Sequence, residues 1–206
     1  MEVDPAALPP NGMYKLLISS VVPRRIAWVS SMDAADVRNL APFSYFMAIT
    51  DEPPTIAFSS SFRGAGHDGK KDTLRNVEAT REFVVNVVDD DRAAQMNVTS
   101  GDYPPEVDEF EVAGLTAVSG TRVGAPPVAE APIAMECRLD RIVPVGRANL
   151  VLGRIVYLHV RDGLYDAAAG RINMHRLRPV GRLAGNLYTH VHDIFEMKRP
   201  NPDYRG

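Results

Sequence analysis

The sequence predicts a mainly β protein, an antiparallel barrel with peripheral helices, and three observations carry that expectation. Six to eight segments rich in β-branched and aromatic residues alternate with turns marked by Pro, Gly and Asp. Helical stretches are few and short, and no regular strand–helix–strand alternation supports a doubly wound parallel sheet. No fixed-period repeat and no low-complexity run is present, which sets aside solenoids and disordered modules. At 206 residues and 45% hydrophobic, the chain can bury one sizeable core, and residues 1–206 read as a single domain.

Taken in order, Gly12 to Ser20 forms a short helix or turn that leads into a strand over Ile26–Ser31. Met32 to Arg38 reads as a polar loop. Phe43–Thr50 and Thr55–Ser60 read as two strands of a hairpin, because Asp51-Glu52-Pro53-Pro54 between them enforces a turn. Asp72 to Thr80 is the clearest helix start, with Asp72 or Thr73 as N-cap and Leu74 and Val77 as its apolar stripe. Phe83–Val88 is a strong strand, and Asp89 to Asn97 a short helix opened by acids. Tyr103 to Pro132, rich in Pro, Gly and acids, reads as a surface insertion around 100–132 rather than core, its Phe110 included. Ile133–Val143 alternates, with Ile133, Met135, Cys137 and Leu139 on one face and a wet face opposite. Ala148–Arg161 is the longest strand candidate, expected to put Leu150, Leu152, Val156, Leu158 and Val160 inward and His159 on the other face. Gly163–Gly170 is a turn region, and a mixed tail follows from Leu177.

Charge and cysteine usage exclude several functions. A net charge of −3 gives no overall pull toward nucleic acid or anionic lipid, so an anion must be held by local cations. Cys137 is the only cysteine, which rules out an internal disulfide, and its apolar setting makes it core filler rather than nucleophile. The first residues lack the basic and apolar regions of a signal peptide and no segment is long and apolar enough to span a bilayer, so a cytoplasmic protein is expected. Asn97-Val98-Thr99 therefore carries no glycosylation reading.

The chemistry-bearing stretches point to a phosphate-bearing ligand. Pro23 to Phe46 and Pro53 to Thr73 each run from an apolar strand into small, hydroxylated or basic residues, which offer N–H, hydroxyl and cationic groups to an anion. Gly64-Ala65-Gly66-His67-Asp68-Gly69 is a literal GxGxxG. Lys70, Lys71 and Asp72 still separate it from the helix, so the third glycine cannot pack helix on sheet as a dinucleotide fold requires. It reads instead as a flexible loop that lets backbone approach a ligand, with His67 exposed. His190-Val191-His192 could place two imidazoles on one face, but no third ligand is spaced for a metal, and none is expected. His175 reads as surface. With no nucleophile elbow and no carboxylate pair, a cofactor is expected to supply the reactive group.

PRRIAWVSSMDAADVRNLAPFSYFMAITDEPPTIAFSS, then KKDTLRNVEATREFVVNVV and the tail RPVGRLAGNLYTHVHDIFEMKRP, resemble the flavin reductase-like family with the FMN-binding split barrel, in its flavoredoxin and nitrilotriacetate-monooxygenase reductase-component branch. The resemblance implies a homodimeric Greek-key split β-barrel that binds FMN near the dimer interface and reduces flavin with NADH or NADPH. By motif, Ala41, Pro42, Phe43, Ser44, Tyr45 and Phe46 resemble the strand holding the isoalloxazine edge and ribityl chain. Ser59, Ser60 and Ser61 resemble the segment that receives ribityl and phosphate. Lys71, Asp72 and Thr73 match the family's KDT, where an ammonium and a hydroxyl at a helix start suit a dianionic phosphate. Trp28 and Asn39 fall near the site, and His159 falls where the family often has a histidine near the flavin. Arg25 stands where the branch usually has proline, and Ala184 where it usually has glycine. The implied activity is hydride transfer from NAD(P)H to flavin N5, with electrons passed to free flavin or a flavin-dependent oxygenase partner. The alternatives are a non-catalytic FMN-binding carrier or sensor module, or a split barrel adapted to haem.

Overall fold

The computed structural model describes residues 2–61 and 69–200. Seven antiparallel strands form one sheet in the order β2-β1-β5-β6-β7-β4-β3. They are β1 (Ala27–Met32), β2 (Arg38–Phe43), β3 (Phe46–Asp51), β4 (Pro54–Ser61), β5 (Glu82–Asn86), β6 (Ile133–Val145) and β7 (Ala148–Val160). The two edge strands, β2 and β3, are joined by the two-residue corner Ser44–Tyr45, so the sheet curls round its core as a split barrel. Helices α1 (Gly12–Ser20), α2 (Asp72–Thr80), α3 (Ala93–Val98), α4 (Glu109–Ala113) and α5 (Met174–Leu177) decorate it. Two small hairpins follow β7, formed by β8 (Tyr165–Asp166) with β9 (Arg171–Ile172), and by β10 (Val180–Arg182) with β11 (Tyr188–His190). No helix among the described residues is long and apolar enough to cross a membrane.

Strand periodicity divides the core in two. Along β1, Ala27 and Val29 face the barrel interior with Phe43, Phe58, Phe83 and Val151, while Trp28 faces the opposite cluster with Leu40, Met96 and Phe110. The interior is centred on three rings, Phe43 to Phe58 at 4.9 Å and Phe58 to Phe83 at 5.5 Å between centroids. Burying each such ring contributes about 1.5–3 kcal/mol. Gly153 makes room for this packing, since the Phe83 ring occupies the space a Cβ there would need. Helix α2 lays Leu74 and Val77 onto the same interior, as its i, i+3 stripe predicts. Cys137 is fully buried in it, and burial pushes its thiol far above the ordinary range.

Several expectations need correction. Arg38, read as the end of a polar loop, instead opens a strand over Arg38–Phe43, and the stretch read as one strand over Phe43–Thr50 breaks at Ser44–Tyr45. Asp72 does not cap α2. The N-cap is Lys71, with extended φ −77° and ψ 153°, and Asp72 sits in the first turn paired with Arg75 at 2.7 Å. Phe110 is core rather than excursion, 1% exposed. The second face of β6 is wet at Arg138 but not at its start, where the segment around Val123 to Ala125 packs on Ala134 and Glu136 is fully buried. On β7 it is Val151 that is buried, while Leu158 is exposed. Two register shifts between β6 and β7, at Glu136/Cys137 and Leu139/Arg141, break the strict alternation on which the expected face depended.

Candidate functional site

Where the β2–β3 corner, the end of β4 and the start of α2 meet, two cavities adjoin and share Arg24, Ser44, Tyr45 and Ser59. The larger, about 740 Å³, also has Pro42, Phe43, Ser61 and Lys71 in its wall, and α1 and the β10–β11 turn close its other side with Tyr14, Lys15, Ile18, Arg182, Ala184, Gly185 and Asn186. The smaller, about 480 Å³, is mainly apolar, with Leu17, Val21, Pro23, Phe46, Met47, Ala57 and Leu150, together with Arg25. Both fall in the range of roughly 300–1,000 Å³ typical of small-molecule sites.

The lining of the larger cavity holds four cations, Lys15, Arg24, Lys71 and Arg182, and among the described residues no carboxylate. In a chain of net charge −3 this is a local concentration of positive charge, which attracts anions. Hydroxyls of Ser44, Tyr45, Ser59 and Ser61 stand beside the cations, and Lys71 Nζ lies 5.2 Å from the centre of the Phe43 ring. Period-2 alternation on β4 explains the serines: Ser59 and Ser61 face the cavity, while Ser60 turns inward, fully buried with its Oγ unpartnered. The cation–hydroxyl set beside the flat wall of Pro42 and Phe43 fits a planar group carrying a phosphate.

Arg24 is the residue that assembles this cleft. Only 7% exposed, its guanidinium donates to the carbonyls of Ile18 on α1 and Leu183 in the β10–β11 turn, the latter at 2.8 Å, and its Nε donates to Ser44 Oγ at 3.3 Å. The hairpin is closed by Arg182, which donates to Tyr188 Oη at 2.6 Å and to the Gly185 carbonyl at 2.8 Å. Gly181 packs against Pro23 so closely that a Cβ would lie 2.9 Å from the proline ring. Residues Tyr14, Lys15, Arg24, Arg182 and Asn186 escaped the sequence reading. The only signal for Arg24 was an arginine pair breaking an otherwise apolar stretch.

Of the residues singled out from sequence, Pro42, Phe43, Ser44, Tyr45, Ser59, Ser61 and Lys71 line the larger cavity and Phe46 the smaller. Arg25 and Ala184, the two departures from the family pattern, also line the cleft. The remainder stand behind it. Trp28 is fully buried, donating Nε1–H to Thr99 Oγ1 at 2.9 Å. Ala41 packs against the barrel interior. The Asn39 side chain is buried, and its Oδ1 accepts from Thr73 Oγ1 at 2.7 Å, so both are engaged within the fold. Asn39 Nδ2 donates to Glu109 Oε1 at 2.9 Å, and Glu109 Oε2 accepts from the Leu40 N–H. Burial raises the Glu109 carboxyl above its ordinary range despite these bonds.

His159 lines neither cavity, and among the described residues no histidine does. Its Nε2 lies 2.5 Å from Oε1 of Glu136, whose carboxylate also accepts the N–H groups of Thr121, Arg122 and Val123. Burial alone would raise this carboxyl; the Thr121 N–H, His159 and the Arg122 N–H outweigh it and hold it below its ordinary range. The glycine run Gly64 to Asp68, with His67, lies outside the described residues. His190 and His192 line neither of the two cavities and meet Asp90, the third group that their spacing in the sequence did not offer.

Residues 19–177 match the family model described as flavin reductase like domain. An uncharacterised protein of Halalkalibacterium halodurans is 41% identical over 207 residues, covering 97% of each chain. Nitrilotriacetate monooxygenase component B from Bacillus cereus superposes with a TM-score of 0.90 at 36% identity, covering 96% of this chain and 98% of that one. The 2-nitrobenzoate 2-nitroreductase of Pseudomonas fluorescens gives 0.87 at 30% identity, covering 97% and 96%. A family match across most of its length, with a split barrel shared almost end to end, shows that the chain belongs to the flavin reductase-like family, in the branch of nitrilotriacetate monooxygenase component B.

Proposed function

We propose that the protein is an FMN-binding oxidoreductase that catalyses NAD(P)H-dependent flavin reduction. The single observation that carries this reading is a cavity whose described lining has four cations, five hydroxyls and no carboxylate beside an aromatic wall, in a chain of this family. When bound, the flavin would supply the hydride-accepting chemistry at N5, which the protein itself lacks. Lys71, Ser59 and Ser61, at the start of α2 and the end of β4, take the phosphate. Ser44 and Tyr45 hydrogen-bond the polar edge, and Pro42 and Phe43 exclude water. Lys15 and Arg182 add positive charge from the facing wall. The adjoining apolar cavity, which shares Arg24, Ser44, Tyr45 and Ser59, gives the nicotinamide of NADH or NADPH a place beside the flavin.

The name of the Bacillus cereus neighbour, component B of a monooxygenase, supports a partner oxygenase supplied with reduced flavin. The exposed apolar side chains of Tyr45, Met47 and Ile49 at the edge strand β3 support a homodimer, whose mass in solution would be twice 22.6 kDa. A second reading, a flavin carrier or sensor without turnover, shares the same cleft. A haem site draws no support from the described lining, in which no histidine occurs.

The deciding experiment is the visible spectrum of protein loaded with FMN and freed of excess, then mixed anaerobically with NADH and with NADPH. Retained flavin bleached by either nucleotide is the expected result. Flavin bleached only by dithionite would leave the carrier reading, and absence of flavin binding at any concentration would end the FMN assignment.

A further inference from the structure

On the far side of the β10–β11 hairpin, a carboxylate and two imidazoles converge although about a hundred residues separate them in the chain. Asp90 Oδ1 lies 2.7 Å from His190 Nδ1, and Oδ2 is bonded by His192 Nε2. The three ligand atoms lie within 4.8 Å of one another, and the two rings stack with centroids 5.1 Å apart. The backbone sets this up. His190 ends β11 and His192 follows two residues on, so an extended chain presents both on one side. Asp90 N donates to the Arg178 carbonyl and Val191 N to the Pro179 carbonyl, pinning the two segments together. The carboxylate is 7% exposed and the imidazoles 65% and 52%, so a buried anion faces two accessible nitrogens.

We propose that Asp90, His190 and His192 form a binding site for a divalent first-row transition metal ion, Zn(II) being the representative. Two imidazoles with one carboxylate suit Zn(II), Co(II) or Ni(II), whereas Mg(II) and Ca(II) need oxygen ligands. Arg178 contacts Oδ2 through Nε and Nη2 at 3.1 and 3.0 Å. It orients the carboxylate and leaves Oδ1 to the metal, as an outer partner of a ligating carboxylate does. Its positive charge also weakens the site. With metal–ligand bonds of about 2.0–2.1 Å, tetrahedral ligand atoms stand about 3.3 Å apart, so metal entry replaces the two hydrogen bonds and lengthens the 2.7 Å separation of Asp90 Oδ1 and His190 Nδ1 by roughly half an ångström. Solvent completes the coordination on the exposed side. A bound ion ties the chain after β11 to the turn ahead of α3, behind the hairpin whose Arg182 lines the candidate cleft.

Metal binding tests this without reference to flavin. Tag-free protein stripped with EDTA and dialysed is titrated with Co(II), read by its visible d–d absorption, and with Zn(II) by calorimetry. One saturable equivalent is expected. Both H192A and D90N should weaken it by at least about 100-fold, since even outer partners cost 10–100-fold. His192 is half exposed, so H192A keeps the fold even if D90N does not. Absence of saturable binding, or an isotherm unchanged in H192A, would overturn the proposal.

Discussion

The two walls of the cleft are held by different means. The inner wall, made by β2, β4 and α2, rests on a buried polar network in which Asn39 joins Thr73 and Glu109, while Asn76 Nδ2 donates to Ser31 Oγ at 3.1 Å. Each of these five side chains is buried, so water cannot replace a lost partner. The outer wall, α1 and the β10–β11 turn, has no buried residue in α1 and depends on the guanidinium groups of Arg24 and Arg182. A wall with few buried contacts opens at lower free energy than one locked in the core. Under the proposed function, the contrast gives the ligand's fixed contacts to the inner wall and its admission to the outer one.

The strongest way to break this comparison is to cut the inner network. Asn39→Ala leaves the Thr73 hydroxyl without its acceptor and removes one donor from the buried Glu109, and should cost about 3 kcal/mol in urea unfolding. A loss below about 1 kcal/mol would mean the inner wall is no firmer than the outer. Arg24→Ala comes next. It should cost about 2 kcal/mol of stability and lower FMN affinity about tenfold or more, and Arg24→Lys should fail to restore affinity because an ammonium cannot fork to three elements. FMN titration by fluorescence quenching checks this, and full rescue by lysine would reduce Arg24 to a simple charge. A finer separation comes from the KDT motif itself. Lys71→Ala should weaken FMN binding about tenfold, or ~1.4 kcal/mol, with stability nearly unchanged. Thr73→Val should do the reverse, costing about 1–2 kcal/mol of stability because its hydroxyl is spent on Asn39.

This division between the walls also marks how far the sequence could be read. The β3–β4 hairpin, the strand at Trp28 and the stripe of α2 were legible because period and turn chemistry are local. β2 was not, since Arg38 and Asn39 look like loop until Asp108 and Glu109, some 70 residues away, take their side chains. Phe110 and Glu136 misled for the same reason, each buried by a segment distant in the chain. Motif resemblance pointed to the stretches that form the inner wall, yet it could not separate Lys71, which lines the cavity, from Thr73, which is buried behind it. The outer wall depends on Arg24 reaching Leu183 across 159 positions, and spacing carries no trace of such a bond.

The two buried glutamates sharpen the comparison in its most subtle form, because they bind protons in opposite senses. Glu109 belongs to the inner wall and its folded carboxyl is raised, so the native state holds more protons than the unfolded one between about pH 4.5 and the folded pKa. Stability from this group is therefore full below that window and lost as pH rises through it. Glu136, which anchors the loop at Thr121 to Val123, is lowered. Here the unfolded state holds more protons, so its contribution is present above about pH 4.5 and lost as pH falls through the folded pKa. Unfolding free energies measured from pH 3.5 to 6.5 should accordingly change slope in opposite directions in E109Q and E136Q, the former losing a decline with rising pH and the latter losing a rise. Equal slopes in the two variants would show that Glu109 is not held in the low-dielectric setting assigned to the inner wall. The buried network would then be open to water, and the difference between the two walls would disappear with it.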